Sequence, residues 1–214
     1  MKTNILYPLI ILLFNPWLAT ADDHAQISLF FSPHGGCEAT IINSIDAAEL
    51  QIDVAAYAFS SKPIARALYA ATKRGVQVRV LLDRRQPNAH YSMANDLTIN
   101  GLEVRVDRKE PLMHMKTMIL DSNTLILGSY NFSAAAENRN VEILAVINSK
   151  ELAAEATANW LKHWNHSIPH NATANPNIGK TQLASETVCR TYIYPLKPSR
   201  KFFRSRLRRT IQWY

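Results

Sequence analysis

Between residues 26 and 164 the chain switches repeatedly between short apolar runs of strand length and longer stretches with helical spacing. That alternation admits few architectures. Each strand must find sheet partners, and each amphipathic helix must cover a sheet face or another helix. Strand-like runs fall at 26–31, 50–59, 76–82, 102–106, 114–120, 124–127 and 141–147, with 102–106 edge-like. Helical spacing covers 38–48, where Ile41, Ile42 and Ile45 share a side. It returns after Ser60 or Ser61 with Pro63 in the first turn, and Gly75 ends that helix. A short helix is expected over 91–100, a helical turn over 132–137, and a last helix from a Ser149 cap to about Trp164. The expected fold class is α/β, an α+β sandwich in which a mixed β-sheet is flanked by helices. No internal repeat is visible.

The two ends differ from this middle. Lys2, an apolar run over 5–14 and the small residues Ala19–Thr20–Ala21 have the form of an export signal. The alternative is an uncleaved anchor reaching Leu18, which Asn15 and Pro16 interrupt. Residues 1–21 are therefore expected to be a signal peptide, and residues 22–169 a periplasmic or secreted domain. Residues 170–214 hold nine of the 24 Lys/Arg but one of the 17 Asp/Glu, so the net charge of +7 belongs to this extension. Its end interleaves Arg200, Lys201, Arg204, Arg206, Arg208 and Arg209 with aromatic residues. Three readings stand: a nucleic-acid-binding tail, an amphipathic segment on an anionic membrane, or a solvated tail. Cys37 and Cys189 are the two cysteines. An oxidising compartment permits a disulfide between them, and two free thiols are the alternative.

The chemistry concentrates in "HMKTMILDSNTLILGSYNFS", residues 114–133. In a strand, alternate side chains share a face, so His114 and Lys116 project together. An imidazole beside an ammonium makes sense when an anion sits between them. A phosphate fits: lysine holds its oxygens and histidine reaches the phosphorus as a nucleophile. Gly128 allows close backbone approach, and Ser129 and Asn131 add neutral groups on one face. Glu142 opens a strand and is placed to accept a hydrogen bond from the His114 ring. No carboxylate cluster suited to Mg²⁺ lies at the motif, so neither metal nor cofactor is expected in the chemistry. Asp83, Arg84 and Arg85 end a strand and are candidates for a groove wall. His163, His166 and His170 read as a solvated helix end, and Trp160 and Trp164 as core.

His114-x-Lys116-x4-Asp121 followed by Gly128-Ser129-x-Asn131 resembles the HKD motif of the phospholipase D superfamily. Residues 30–86 resemble the amino-terminal half of its small bacterial endonucleases, and "LKHWN" their last helix. The resemblance spans about 26–167 and leaves the tail outside. It implies a phospholipase-D-like fold with His114 as the nucleophile that forms a phosphohistidine. Lys116 and Asn131 bind the phosphate, Ser129 assists, Glu142 orients the ring, and Asp121 is structural. It also implies a homodimer, because this chain has one motif where other members carry two. A two-fold axis would bring two copies of His114 to one site, one as nucleophile and one as acid. The expected activity is metal-independent endonucleolytic hydrolysis of DNA, with RNA as a second substrate. The alternative is a phospholipase or phosphatidyl transferase.

Overall fold

A computed structural model describes residues 25–171. The expected elements all form, most with ends shifted by a residue or two. Their order is β1 (Gln26–Ser32), α1 (Cys37–Ala47), β2 (Gln51–Ala56), α2 (Lys62–Lys73), β3 (Gln77–Asp83), α3 (Ala94–Ile99), β4 (Glu103–Asp107), β5 (Lys116–Leu120), β6 (Thr124–Gly128), α4 (Ala134–Asn138), β7 (Glu142–Asn148), α5 (Lys150–His166) and β8 (Ile168–Pro169). They build one mixed sheet in the order β1-β7-β6-β5-β2-β3-β4-β8.

Strands β2, β3 and β4 are parallel, so each needs a crossover, which α2 and α3 supply. The remaining pairings are antiparallel. This register decides where the chemistry sits. Ala56 pairs with Lys116, Asp83 with Asp107, and Ser32 with Glu142, so these groups gather at one end of the sheet.

Helices α1 and α2 cover one face. Ile41, Ile45, Ile64 and Leu68 are fully buried there against Val54, Val80, Met118 and Ile126. Ser61 caps α2 by accepting from the Ile64 amide at 3.2 Å, with Pro63 in the first turn. Helix α5 covers the other face, started by Ser149, whose hydroxyl accepts from the Leu152 amide at 3.3 Å. Trp160 and Trp164 stack at 4.6 Å, and Trp160 Nε1 donates to the Val54 carbonyl. Both are core, as expected. Between α5 and the sheet, Arg79 lies over Trp160 and grips the fully buried Asp53 with two hydrogen bonds of 2.7 and 2.8 Å. A buried carboxylate needs such a partner.

Two local differences from the sequence reading stand out. Beyond the last expected helix, Ile168 and Pro169 form a further short strand that pairs with β4, and the His170 amide donates to the Val104 carbonyl. The strand expected from His114 starts at Lys116. Pro111 lies just upstream, and the backbone of 112–115 is not held in a ladder. Residues 1–21, expected to be a signal peptide, Cys189 and the basic residues Arg200 to Arg209 lie outside the described residues. Cys37 is buried at the start of α1 and has no disulfide partner among the described residues.

Candidate active site

His114 sits in the loop that enters β5, with its ring exposed. Lys116, the first residue of that strand, is only 7% exposed. Its Nζ lies 3.2 Å from His114 Nε2 and donates to the His114 carbonyl at 3.0 Å. The expected sharing of one face is therefore met, although residue 114 is not itself in a strand. Burial lowers the Lys116 pKa, and the negative charge of Glu142 acts against that shift.

Tyr57 completes the pair, and the sequence reading missed it. Its ring lies 4.4 Å from that of His114, and the Lys116 ammonium sits 4.9 Å over it. Its amide donates to the Met115 carbonyl. The available signal was position: Tyr57 directly follows a parallel strand, at the carboxyl end where α/β sheets place their sites. Asp83 acts one step further out. Its fully buried carboxylate accepts from the Met113 amide at 2.9 Å, one residue before His114, and from the Arg85 amide at 3.0 Å. It anchors the loop rather than lining a groove, while Arg84 and Arg85 are exposed.

The β6–β7 side differs in detail from expectation. The Ser129 hydroxyl donates to Glu142 at 2.5 Å and accepts from the Ile143 amide at 3.1 Å. Asn140 donates to the other Glu142 oxygen at 2.9 Å. Glu142 is thus held by Ser129 and Asn140 and makes no hydrogen bond to the His114 ring. With no substrate in the site, the Ser129 hydroxyl proton is directed at Glu142. Asn131 has a buried Oδ1 without a protein partner, an acceptor that only a hydrogen-bond donor would satisfy. Gly128 is required by crowding: a Cβ there would lie 2.1 Å from the Ile143 carbonyl oxygen.

Asp121 is remote from this chemistry. Its carboxylate accepts from the amides of Glu49, Leu50 and Gln51 at 2.8–2.9 Å, tying the β5–β6 turn to the start of β2. Burial raises its pKa, but the three amide hydrogen bonds more than offset that and leave it lowered. The histidines of α5 are likewise not a solvated end. His163 Nδ1 and His166 Nε2 lie 2.9 and 3.1 Å from the two oxygens of Asp107, which is fully buried. His170 stands apart, against Asn95.

Residues 41–164 match the family described as cardiolipin synthase, PLD-like domain. The chain belongs to the phospholipase D-like family. A protein named phospholipase D from Rickettsia felis is 39% identical over 137 residues, 64% of this chain and 68% of that one. The human mitochondrial cardiolipin hydrolase is 30% identical over 145 residues, 67% of this chain and 58% of that protein. Among solved structures, the phospholipase D family member Nuc from Salmonella typhimurium superposes with a TM-score of 0.66 at 34% identity, covering 69% of this chain and 99% of Nuc. NucT from Helicobacter pylori gives 0.63 at 24% identity, covering 69% of this chain and all of its own, and speaks to fold alone. The chain is a phosphodiesterase of the phospholipase D-like superfamily, with the sheet and helix layers expected of it.

Proposed function

We propose that this protein is an exported endonuclease that cleaves phosphodiester bonds through a phosphohistidine on His114. The carrying observation is the exposed His114 ring held against a buried lysine. In the free site the Lys116 ammonium faces the Nε2 lone pair. An arriving phosphate takes over the ammonium with its oxygens and frees that lone pair. Nε2 then attacks phosphorus, the P–N bond forms, and the P–O bond to the leaving alkoxide breaks. An acid protonates the leaving oxygen. Water, deprotonated by the same group, then cleaves P–N and releases the phosphomonoester. Asn131 is the second phosphate contact in this reading, donating through its Nδ2 amide.

A second copy of His114 supplies that acid in this reading. An apolar strip supports pairing: Ile27, Leu29, Phe31, Leu127 and Ile143 are all exposed on the α5-side face of the sheet, where the helix does not reach. It ends one residue from Glu142 and two from Ser129, so a copy docked there adjoins the site. Mixing wild-type with His114→Ala subunits tests this. Activity should fall as heterodimers form, and a fully active monomer would rule it out.

Nucleic acid is favoured over lipid by what borders the nucleophile. Arg84 and Arg85 follow Asp83, and Arg108 and Lys109 follow its register partner Asp107, all four exposed. Each aspartate turns back to accept from the amides that follow it, presenting two adjacent basic turns suited to a phosphate backbone. The lipid reading draws on the names of the Rickettsia and cardiolipin-hydrolase relatives and on the same apolar strip. Incubation with plasmid DNA and with phosphatidylcholine or cardiolipin vesicles, in EDTA, separates the two. The nuclease reading requires DNA nicking with the lipids intact; lipid turnover without nicking would replace it.

A further inference from the structure

Three aspartates of this sheet are fully buried, and they are met differently: Asp83 receives the backbone amides of Arg85 and Met113. Asp53 receives a guanidinium. Asp107 receives two imidazoles from the last turn of α5, one on each oxygen. The ring nitrogens of His163 and His166 and the Asp107 carboxylate lie within 4.8 Å of one another. Residues three apart on a helix share a face, so His163 and His166 reach the end of β4 together. Their nitrogens approach a carboxylate whose Oδ1 is already fixed by the Lys109 amide at 3.0 Å.

We propose that Asp107, His163 and His166 form a zinc site that clamps the end of α5 to the end of β4. Two imidazoles and one carboxylate are a donor set suited to Zn²⁺. Tetrahedral zinc with bonds of about 2.0–2.1 Å places its ligand atoms roughly 3.3 Å apart. His163 Nδ1 stands 2.9 Å from Oδ2 and His166 Nε2 3.1 Å from Oδ1, and one ligand atom from each residue lies within 4.8 Å of the others, so movement of the two half-buried rings about one shared carboxylate oxygen admits the ion. Water takes the fourth position. The clamp braces the 108–113 loop that runs from Asp107 to His114, but no zinc-held group takes part in the phosphoryl chemistry. The proposal does not depend on whether the substrate is DNA or lipid.

The test uses the untagged full chain, stripped with chelator and then titrated with ZnCl₂ by calorimetry and thermal melting. One ion should bind per chain. At zinc about 100-fold above Kd, Tm should rise by roughly 5–10 °C. Co²⁺ should give the visible absorption bands of a tetrahedral ion. H163Q and H166Q each keep an amide able to donate to Asp107 but lose a good ligand. Both should fold without zinc, bind it at least about tenfold more weakly, and lose the Tm rise. H114A should bind zinc as the wild type does. Absence of a zinc-dependent shift in the wild type would overturn the proposal and leave Asp107 as the centre of a metal-free hydrogen-bonded latch. An equal shift in H163Q and H166Q would overturn it too, placing the ion elsewhere.

Discussion

The ammonium of Lys116 lies 3.2 Å from Nε2 of His114 and 3.0 Å from the same residue's carbonyl oxygen. A lysine donating to Nε2 needs that nitrogen's lone pair, which puts the ring proton on Nδ1. The free site thus already holds His114 in the tautomer that attacks through Nε2. Burial disfavours the ammonium, so the arrangement costs stability that a neutral side chain would not. Lys116→Met should lower turnover by roughly 10²–10³-fold, as loss of a preorganised charge donor does. The same variant should melt no lower than the wild type. A marked fall in its Tm would show that Lys116 is structural instead.

Asp121 gives the opposite pattern. Its pKa in the fold is below the usual 3.8, so the stability it confers is present above that value and is lost as pH falls through the lowered pKa. Asp121→Asn should cost about 1–2 kcal/mol at pH 7 by urea unfolding, because the partly exposed Glu49 and Leu50 amides regain water. The gap between variant and wild type should close at strongly acidic pH. Activity per folded molecule should be unchanged.

Gly128 sets the spacing between β6 and β7. Gly128→Ala puts a Cβ 2.1 Å from the Ile143 carbonyl oxygen, and the strand must shift to admit it. The shift acts on Ser129 and Glu142, which meet beside it. A loss of about 2 kcal/mol or more is expected from chemical denaturation, together with reduced turnover.

The basic turns should matter to a polymer and not to a small substrate. Arg84→Ala with Arg108→Ala should reduce the salt dependence of DNA binding by roughly two units of log–log slope. Hydrolysis of a small chromogenic phosphodiester should stay at the wild-type rate. An unaltered DNA salt slope would remove these turns from the substrate track.

Periodicity revealed much of this because it is local. The 3.6-residue spacing of Ile41 and Ile45 and the capping by Ser61 and Ser149 are set within one helix, and they appear where expected. The His114–Lys116 pairing was legible for the same reason, since two-residue spacing survives even where the ladder has not begun. Contacts made across the fold were not. Asp107 meets histidines 56 and 59 residues away, and Asp121 meets amides about 70 residues away. Nothing near either residue marks its partner. Glu142 was found, but its partner was misjudged, because Ser129 lies across the same strand pair and takes the carboxylate first. Tyr57 went unnoticed because it reads as the continuation of an apolar strand.

The central claim is a covalent bond between phosphorus and the ring of His114. It is tested by quenching the enzyme in alkali during turnover of a phosphodiester and mapping the modified peptide by mass spectrometry. The account predicts a phosphorus adduct on the peptide carrying His114, with no adduct and turnover reduced by roughly 10⁴-fold or more in His114→Ala. An adduct at another residue, or full turnover in that variant, would contradict it.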